Sequence, residues 1–399
     1  MDAEEIKALD ERYVVHTYAR APFVLERGEG VRLYDTEGKA YLDFVSGIAV
    51  NALGHGHPAI RQAIAEQMDK LMHVSNLYHT IPQARLAQML VESCFADKVY
   101  FCNSGAESVE AAIKFARKWA RTRGVTEKTE FIAFSGGFHG RTMGALALTP
   151  REHYQDPFRP LMPGAKIATF NDLASAEALM DEKTCAVIVE PLQGEGGVYP
   201  ADPDFLKGLR ALCDRNGSLL IFDEVQCGLG RTGTLWAHQF YGVTPDIMTV
   251  AKPLGGGLPM GATLMTQAVA DCLNPGDHGS TFAANPVVCA AAQAVVKTIS
   301  DPTFLEHVRW AGSYLSEGLA DLQAKYSCIR EIRGRGLIWG LALDIPAAPV
   351  IQAGYELGIL TLNAGPQVLR LLPPLIVQQA DLDEALEKLD GAFARTTQH

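Results

Sequence analysis

Between about residues 85 and 265 one pattern recurs: a short apolar run, a glycine-containing loop, then a stretch with helical spacing. The runs are KVYFC, EFIAF, KIATF, CAVIVE, SLLIFDE, DIMTVA and GATLMT. Several are continuously apolar, as expected of strands covered by helices on both faces. Strands that alternate with helices build a mainly parallel sheet, because parallel neighbours need a crossover between them. The chain is therefore predicted to be α/β, with a mainly parallel seven-stranded sheet in a large domain.

The flanks of this region differ from it. Before about residue 58, short alternating stretches surround the turn Asp35–Gly38, with Val31 and Leu33 on one side and Tyr41, Leu42 and Phe44 on the other, which predicts a β-hairpin. HPAIRQAIAEQMDKL then opens with Pro58 and repeats apolar residues at Ile60, Ala63, Ile64, Met68 and Leu71, the spacing of a helix. After about residue 285 come a helix (NPVVCAAAQAVVKTIS), the strand pair EIRGRGLIWGLAL, a helix around 347–357, two more strand stretches and a last helix. The expected division is 1–58 and 301–399 as a small α+β domain made from both chain ends, with 59–300 as the large domain.

Composition narrows the function. The net charge of −11 with no basic stripe argues against a nucleic-acid partner. An anionic ligand then needs a local cluster of Arg and Lys. Eight dispersed cysteines with no CxxC pair are expected to be reduced, buried thiols rather than disulfides or a zinc site. MDAEEIKALDERYVV is acidic and helical in pattern, unlike a signal or transit peptide, and no apolar run approaches a membrane span. The expected location is the cytoplasm. His55 and His57 lack a third ligand, so a loop role is preferred to a metal, and RGRGL at 333–337 fits a turn between strands.

Ligands of open α/β sheets sit beyond the carboxyl ends of the strands. In this chain five of the ends carry polar or glycine-rich residues that together read as one site: NSGAE after KVYFC, SGGFHGRT after EFIAF, EPLQGEGG after CAVIV, Asp223 and Gln226 after LLIF, and Lys252 after IMTVA. Ser104-Gly105-Ala106 open a helix, where free backbone N–H groups suit a phosphate; Ser104 can equally be a simple helix cap. Neither GxGxxG nor a Walker loop occurs. Asp223 follows a run too apolar for an unpaired carboxylate, so its partner is either Arg231 or the cationic ring nitrogen of a ligand. Lys252 lies 29 residues further on, one helix–strand unit away. In a dry pocket such a lysine is partly uncharged and can condense with an aldehyde. An aldehyde with a phosphate and a pyridinium is pyridoxal phosphate (PLP). Phe138 either stacks on its ring or packs its own loop.

These motifs together, with GSTFAANPV and LRLLPPL, resemble the class III PLP aminotransferases of fold type I over essentially the whole chain. GIAVNALGHGHP is similar to the acetylornithine branch. The resemblance implies Lys252 as the cofactor-bonding lysine and Asp223 as the partner of the ring nitrogen. It also implies Ser104, Gly105 and Ala106 at the phosphate, Phe138 and Val225 sandwiching the ring, and Gln226 on the ring hydroxyl. Ser280 and Thr281 match positions that reach the phosphate of a neighbouring subunit, implying a homodimer with shared sites. Ala283-Ala284 stand where the family usually has two glycines.

Arg141 and Arg370 remain for substrate, since guanidinium forks suit carboxylates. Glutamate has two carboxylates and needs both; a substrate reacting through a terminal amine brings one. Glu195 resembles the family glutamate that pairs with the second arginine until glutamate arrives, although a permanent Glu–Arg bridge would read the same. The expected reaction transfers the terminal amine of N-acetylornithine to 2-oxoglutarate, giving glutamate and the semialdehyde. Ornithine, 4-aminobutyrate and succinylornithine are alternative donors. A PLP aminomutase, a decarboxylase and a non-enzymatic PLP-binding regulator are weaker alternatives, the last because no DNA-binding or partner domain is evident.

Overall fold

The computed structural model describes residues 1–397. Seven strands form the central sheet: β1 (Lys98–Cys102), β2 (Glu130–Phe134), β3 (Ala165–Ala168), β4 (Thr184–Val189), β5 (Leu219–Asp223), β6 (Ile247–Val250) and β7 (Gly261–Met265). Their order across the sheet is β1-β7-β6-β5-β4-β2-β3. All pairs are parallel except those of β7, which runs against both β6 and β1. The reversal has a local cause. The stretch 251–260 between β6 and β7 contains a single 3-10 turn and no crossover helix, so the chain can only come back antiparallel.

Side chains of the sheet alternate between two cores. Phe131, Ala133, Ile188 and Ile221 pack with Val109, Ala112, Ile113 and Ala116 of the helix Gly105–Thr122. Ile132, Phe134, Val187 and Phe222 pack on the other face with Phe205, Leu206 and Leu209 of the helix Pro203–Asn216. Both faces are covered, which is why these strands read as unbroken apolar runs.

The hairpin forms as expected, with Arg32–Asp35 antiparallel to Ala40–Asp43. Residues Ile359 and Leu360 then pair in parallel with Leu42 and Asp43, so the two ends of the chain meet in one sheet. A second small sheet holds Ile329–Arg335, Ile338–Leu343, Val368–Leu371 and Leu362–Asn363, against which pack the helices Pro302–Lys325 and Ala347–Leu357, with Gln379–Thr397 packed on both helices. The predicted helix at residue 58 spans Pro58–Met68, so Leu71 falls beyond its end, and only Ile60 of its apolar positions is buried. Met68, Leu71 and Met72 are exposed, as are Leu77, Ile81 and Phe282. Among the described residues no helix is long and apolar enough to cross a membrane, and all eight cysteines are free thiols, seven of them buried.

Candidate active site

The carboxyl ends of β1, β2, β4, β5 and β6 open onto one cavity of about 460 Å³. The predicted residues Ser104, Gly105, Ala106, Phe138, Arg141, Glu195, Asp223, Val225, Gln226 and Lys252 all line it. Of the remaining ones, Arg370 reaches its wall through Glu195 and Gln226, whereas Ser280 and Thr281 do not line it.

Asp223 is buried at the end of β5, and Arg231 is not its partner. Its Oδ1 accepts the Val225 N–H at 3.0 Å, and its Oδ2 lies 2.7 Å from His139 Nδ1. Arg231, also buried, instead donates to the carbonyls of Leu337 and Pro373. His139 was not foreseen as a site residue. Burial works against its proton, but Asp223 and Glu190 outweigh burial and raise its pKa. The second unforeseen group is Glu190, which accepts the N–H groups of Phe138 at 2.9 Å and Gly194 at 3.2 Å. Burial raises its pKa against the pull of His139. A signal for it existed: like Asp223, it is a carboxylate written directly onto the end of a wholly buried strand.

Lys252 follows β6 at φ 24°, in the left-handed region that a residue with a side chain occupies only under constraint. The glycines behind it absorb the bend. Gly256 sits at φ +61° with no room for a side chain, since a Cβ there would lie 2.7 Å from Ile60 Cδ1. Burial pushes the Lys252 ammonium down to about 8, with Glu195 opposing that shift and Arg370 adding to it. An appreciable fraction is then neutral, hence nucleophilic, near neutral pH.

The residues present fit a phosphate-bearing pyridine aldehyde. Ser104 caps the helix Gly105–Thr122, its Oγ accepting the Glu107 N–H at 3.2 Å, so the plain capping role holds for its hydroxyl. The N–H groups of Gly105 and Ala106 have no acceptor among the described residues and stand at the positive end of the helix. A Cβ on Gly105 would lie 2.8 Å from Val225 Cγ1, so only glycine lets the helix start and the Val225 side chain close in on one another. Phosphate donors, apolar Val225 and Phe138, a buried carboxylate and a desolvated lysine are the donor set that PLP requires.

At the rim, Arg370 Nη1 donates to Glu195 Oε1 at 2.7 Å, Gly194 O at 2.8 Å and Gln226 Oε1 at 3.1 Å. The Nε of this fully buried guanidinium has no partner. Burial acts to raise the Glu195 carboxyl, but Arg370, Lys252 and the Gln226 amide overcome it and hold the group at about 2. Arg141 is the opposite case: exposed, without an ion pair, its guanidinium stacked 3.4 Å over the ring of Tyr154. Ser280 Oγ takes a hydrogen bond from Asn103 Nδ2 at 2.9 Å, Thr281 is exposed, and Ala284 adopts φ 55° where glycine would be unstrained.

Residues 13–393 match the family described as Aminotransferase class-III. The chain is 52% identical over 392 residues to an acetylornithine aminotransferase, mitochondrial, of Alnus glutinosa, covering 97% of this chain and 87% of that one. It is 51% identical to a succinylornithine transaminase of Yersinia enterocolitica, covering 95% of this chain and 94% of that one. The fold matches that of an ornithine aminotransferase from Toxoplasma gondii with PLP at partial occupancy in its active site (TM-score 0.94, 33% identity, 98% and 94% of the two chains).

Proposed function

The chain belongs to the class-III aminotransferases, and from that premise we propose that it moves the terminal amino group of an N-acylated ornithine, N-acetylornithine first, onto 2-oxoglutarate. The enzyme is an aminotransferase and its cofactor is PLP. The N-acyl group rests on the two relatives, and the pair of guanidiniums supports alternation with glutamate: Arg141 pairs with no carboxylate, whereas Arg370 is closed by Glu195 yet keeps an unpartnered Nε. A mono-carboxylate donor needs only Arg141. Glutamate needs both arginines, and Glu195 must give way to it.

When bound, PLP supplies an aldehyde for the amino nitrogen and an electron-withdrawing ring. In our reading Gly105 and Ala106, with Ser104 capping them, hold its phosphate, and Phe138 and Val225 enclose its ring. Asp223, kept in place by His139 and the Val225 N–H, faces the ring nitrogen. Gln226, bonded to Glu195 and Arg370, would offer its amide to the ring hydroxyl. Lys252 Nζ would hold the cofactor's aldehyde carbon at rest and, once displaced by the incoming amine, would stand free to take the proton from the substrate carbon beside that amine.

We further read the chain as a homodimer in which Ser280 and Thr281 reach the neighbouring subunit's phosphate. The exposed apolar residues Leu77, Ile81 and Phe282 are in keeping with a covered surface near that loop. Residues 1–58 and 301–399 form the small domain and 59–300 the large one in this reading. The free thiols favour a reducing compartment, the cytoplasm.

A donor screen with 2-oxoglutarate as acceptor tests the proposal, comparing N-acetylornithine, N-succinylornithine, ornithine and 4-aminobutyrate. The acylated ornithines should give the highest kcat/KM. Preference for free ornithine or 4-aminobutyrate would overturn the substrate class. The ratio of the two acyl donors fixes the acyl group, which the two relatives divide between them.

A further inference from the structure

The loop QGEGG carries Glu195, and its backbone is fastened on several sides. Arg370 Nη1 donates to the Gly194 carbonyl at 2.8 Å. Arg151 Nη2 donates to the Glu195 carbonyl at 2.5 Å, and Arg333 Nε to the Gly197 carbonyl at 2.7 Å. Between these points the chain packs backbone to backbone, since a Cβ on Gly196 would lie 2.2 Å from Gly136 O. Three guanidiniums and one close approach thus hold the loop in place. Opening of the Glu195–Arg370 pair is then a rotation of the Glu195 side chain on a fixed backbone.

A carboxylate that rotates off Arg370 needs a new partner, because an unpaired charge in a largely buried pocket is costly. With glutamate bound, Arg370 and Arg141 hold the ligand's two carboxylates, and Lys252 serves the reacting centre. Arg151 is the neighbouring cation that remains. It is half-buried, immediately before the short helix Glu152–Gln155, and its guanidinium lies 5.7 Å from the centre of the Tyr154 ring on which Arg141 stacks. Apart from the Glu195 carbonyl, its guanidinium has no hydrogen-bond acceptor and no carboxylate among the described residues. Because it is bonded to that residue's own carbonyl, Nη2 lies within about 5 Å of the Glu195 Cα. An extended glutamate side chain carries its carboxylate about as far, so the Arg151 fork is within its reach.

Resting on the reading in which glutamate displaces Glu195 from Arg370, we propose that Arg151 receives the displaced carboxylate. A planar fork has donors enough for the Glu195 carbonyl and carboxylate together, so the loop need not move. Arg151 does not line the cavity and acts through Glu195, as a positioning residue. It stabilises the open state and so sets how readily a dicarboxylate is admitted. An acylated ornithine leaves Glu195 on Arg370 and makes no use of it.

Kinetics of the two half-reactions in the holoenzyme test this, with Arg151→Met, Glu195→Gln and the two combined. Arg151→Met should raise the KM for glutamate and for 2-oxoglutarate roughly ten-fold, the worth of a charge-assisted hydrogen bond, with kcat at saturation nearly unchanged. The acylornithine half-reaction should keep its native values, which also shows that the variant folds. Calorimetric binding of glutarate, which has both carboxylates and no amine, should weaken by the same factor. Arg151→Lys should recover part of the loss, since it restores the charge but not the fork. In the Glu195→Gln background no carboxylate needs a receiver, so adding Arg151→Met should change nothing further. A loss that persists in that background, or one that strikes both half-reactions, would mean that Arg151 only shapes the loop and would overturn the role. A native glutamate KM in Arg151→Met, alongside a shifted one in Glu195→Gln, would overturn it while sparing the switch. If Glu195→Gln itself leaves the glutamate KM unchanged, Glu195 does not compete with glutamate, and the switch falls together with its receiver.

Discussion

At the floor of the active-site cavity, Asp223 and Lys252 stand at the ends of neighbouring strands, β5 and β6, whose register sets Asp223 opposite Thr249. At its rim, Arg370 comes from the small sheet and meets Glu195 from a loop, 175 residues away in the chain. The floor is fixed by backbone pairing and by a buried His139–Asp223 contact. The rim is held by the Arg370 side chain on Glu195, Gln226 and the Gly194 carbonyl, with a guanidinium that still has a donor to offer. The two regions divide the work. In the proposed reading the sheet edge holds the groups that every turnover uses, and Arg141 and Arg370 receive the carboxylates that decide which acid is admitted.

The largest test of that division is at the floor. Lys252→Ala should lower turnover by at least roughly 10²- to 10⁴-fold, the range of a positioned acid–base group. Both half-reactions should fall together, read by single-turnover spectra. Near-normal turnover in this variant would remove Lys252 from the chemistry.

Asp223→Asn comes next. It keeps the shape but not the charge that faces His139, and turnover should drop by about 10²-fold while cofactor affinity falls much less. Loss of cofactor and turnover in step would mean that Asp223 only holds the loop 223–226 together through its Val225 contact.

The rim should behave differently. Arg370→Ala should slow the glutamate/2-oxoglutarate half-reaction roughly ten- to hundred-fold, as loss of a charge-assisted contact does, and leave the acylornithine half-reaction nearly intact. Arg141→Lys should slow both, since a point charge does not replace a fork. Equal slowing of both halves in Arg370→Ala would reduce the Glu195 pair to a permanent bridge.

The same division explains what the sequence made legible. Lys252 and Asp223 stood out because each breaks an apolar strand at its carboxyl end, and the period of the strands gives that position directly. His139 hides inside a glycine-rich loop; its partner Asp223 is 84 residues away and no local pattern announces the contact. Glu190 opens EPLQGEGG at the end of its strand, but no spacing ties it to Phe138 and Gly194, whose N–H groups it accepts. Tyr154, which stacks on Arg141, lies in the short helix Glu152–Gln155 after the loop and carries no spacing signal at all. The reversed β7 was also illegible from apolarity, because a buried antiparallel strand and a buried parallel one have the same composition; only the missing crossover helix distinguishes them.

The smallest effect expected links the two regions. Lys252 must be neutral to act as a nucleophile, and burial brings it down to about 8 from an ordinary 10.5. At pH 7 about one lysine in ten is then neutral, against about one in three thousand at the unperturbed value. The rate at which apoenzyme takes up PLP should therefore rise with pH up to about 8 and level off above it. Rim charges tilt this value: Glu195 raises it and Arg370 lowers it. Glu195→Gln removes the raising charge and leaves the lowering one, so the inflection should move to lower pH. Arg370→Ala does the reverse and should move it to higher pH. Both substitutions lie outside the sheet that carries Lys252, so opposite displacements would show that the rim acts on the floor through its field. An inflection that stays put in both variants would mean that burial alone sets the lysine, and that the selecting rim and the reacting floor are electrostatically independent.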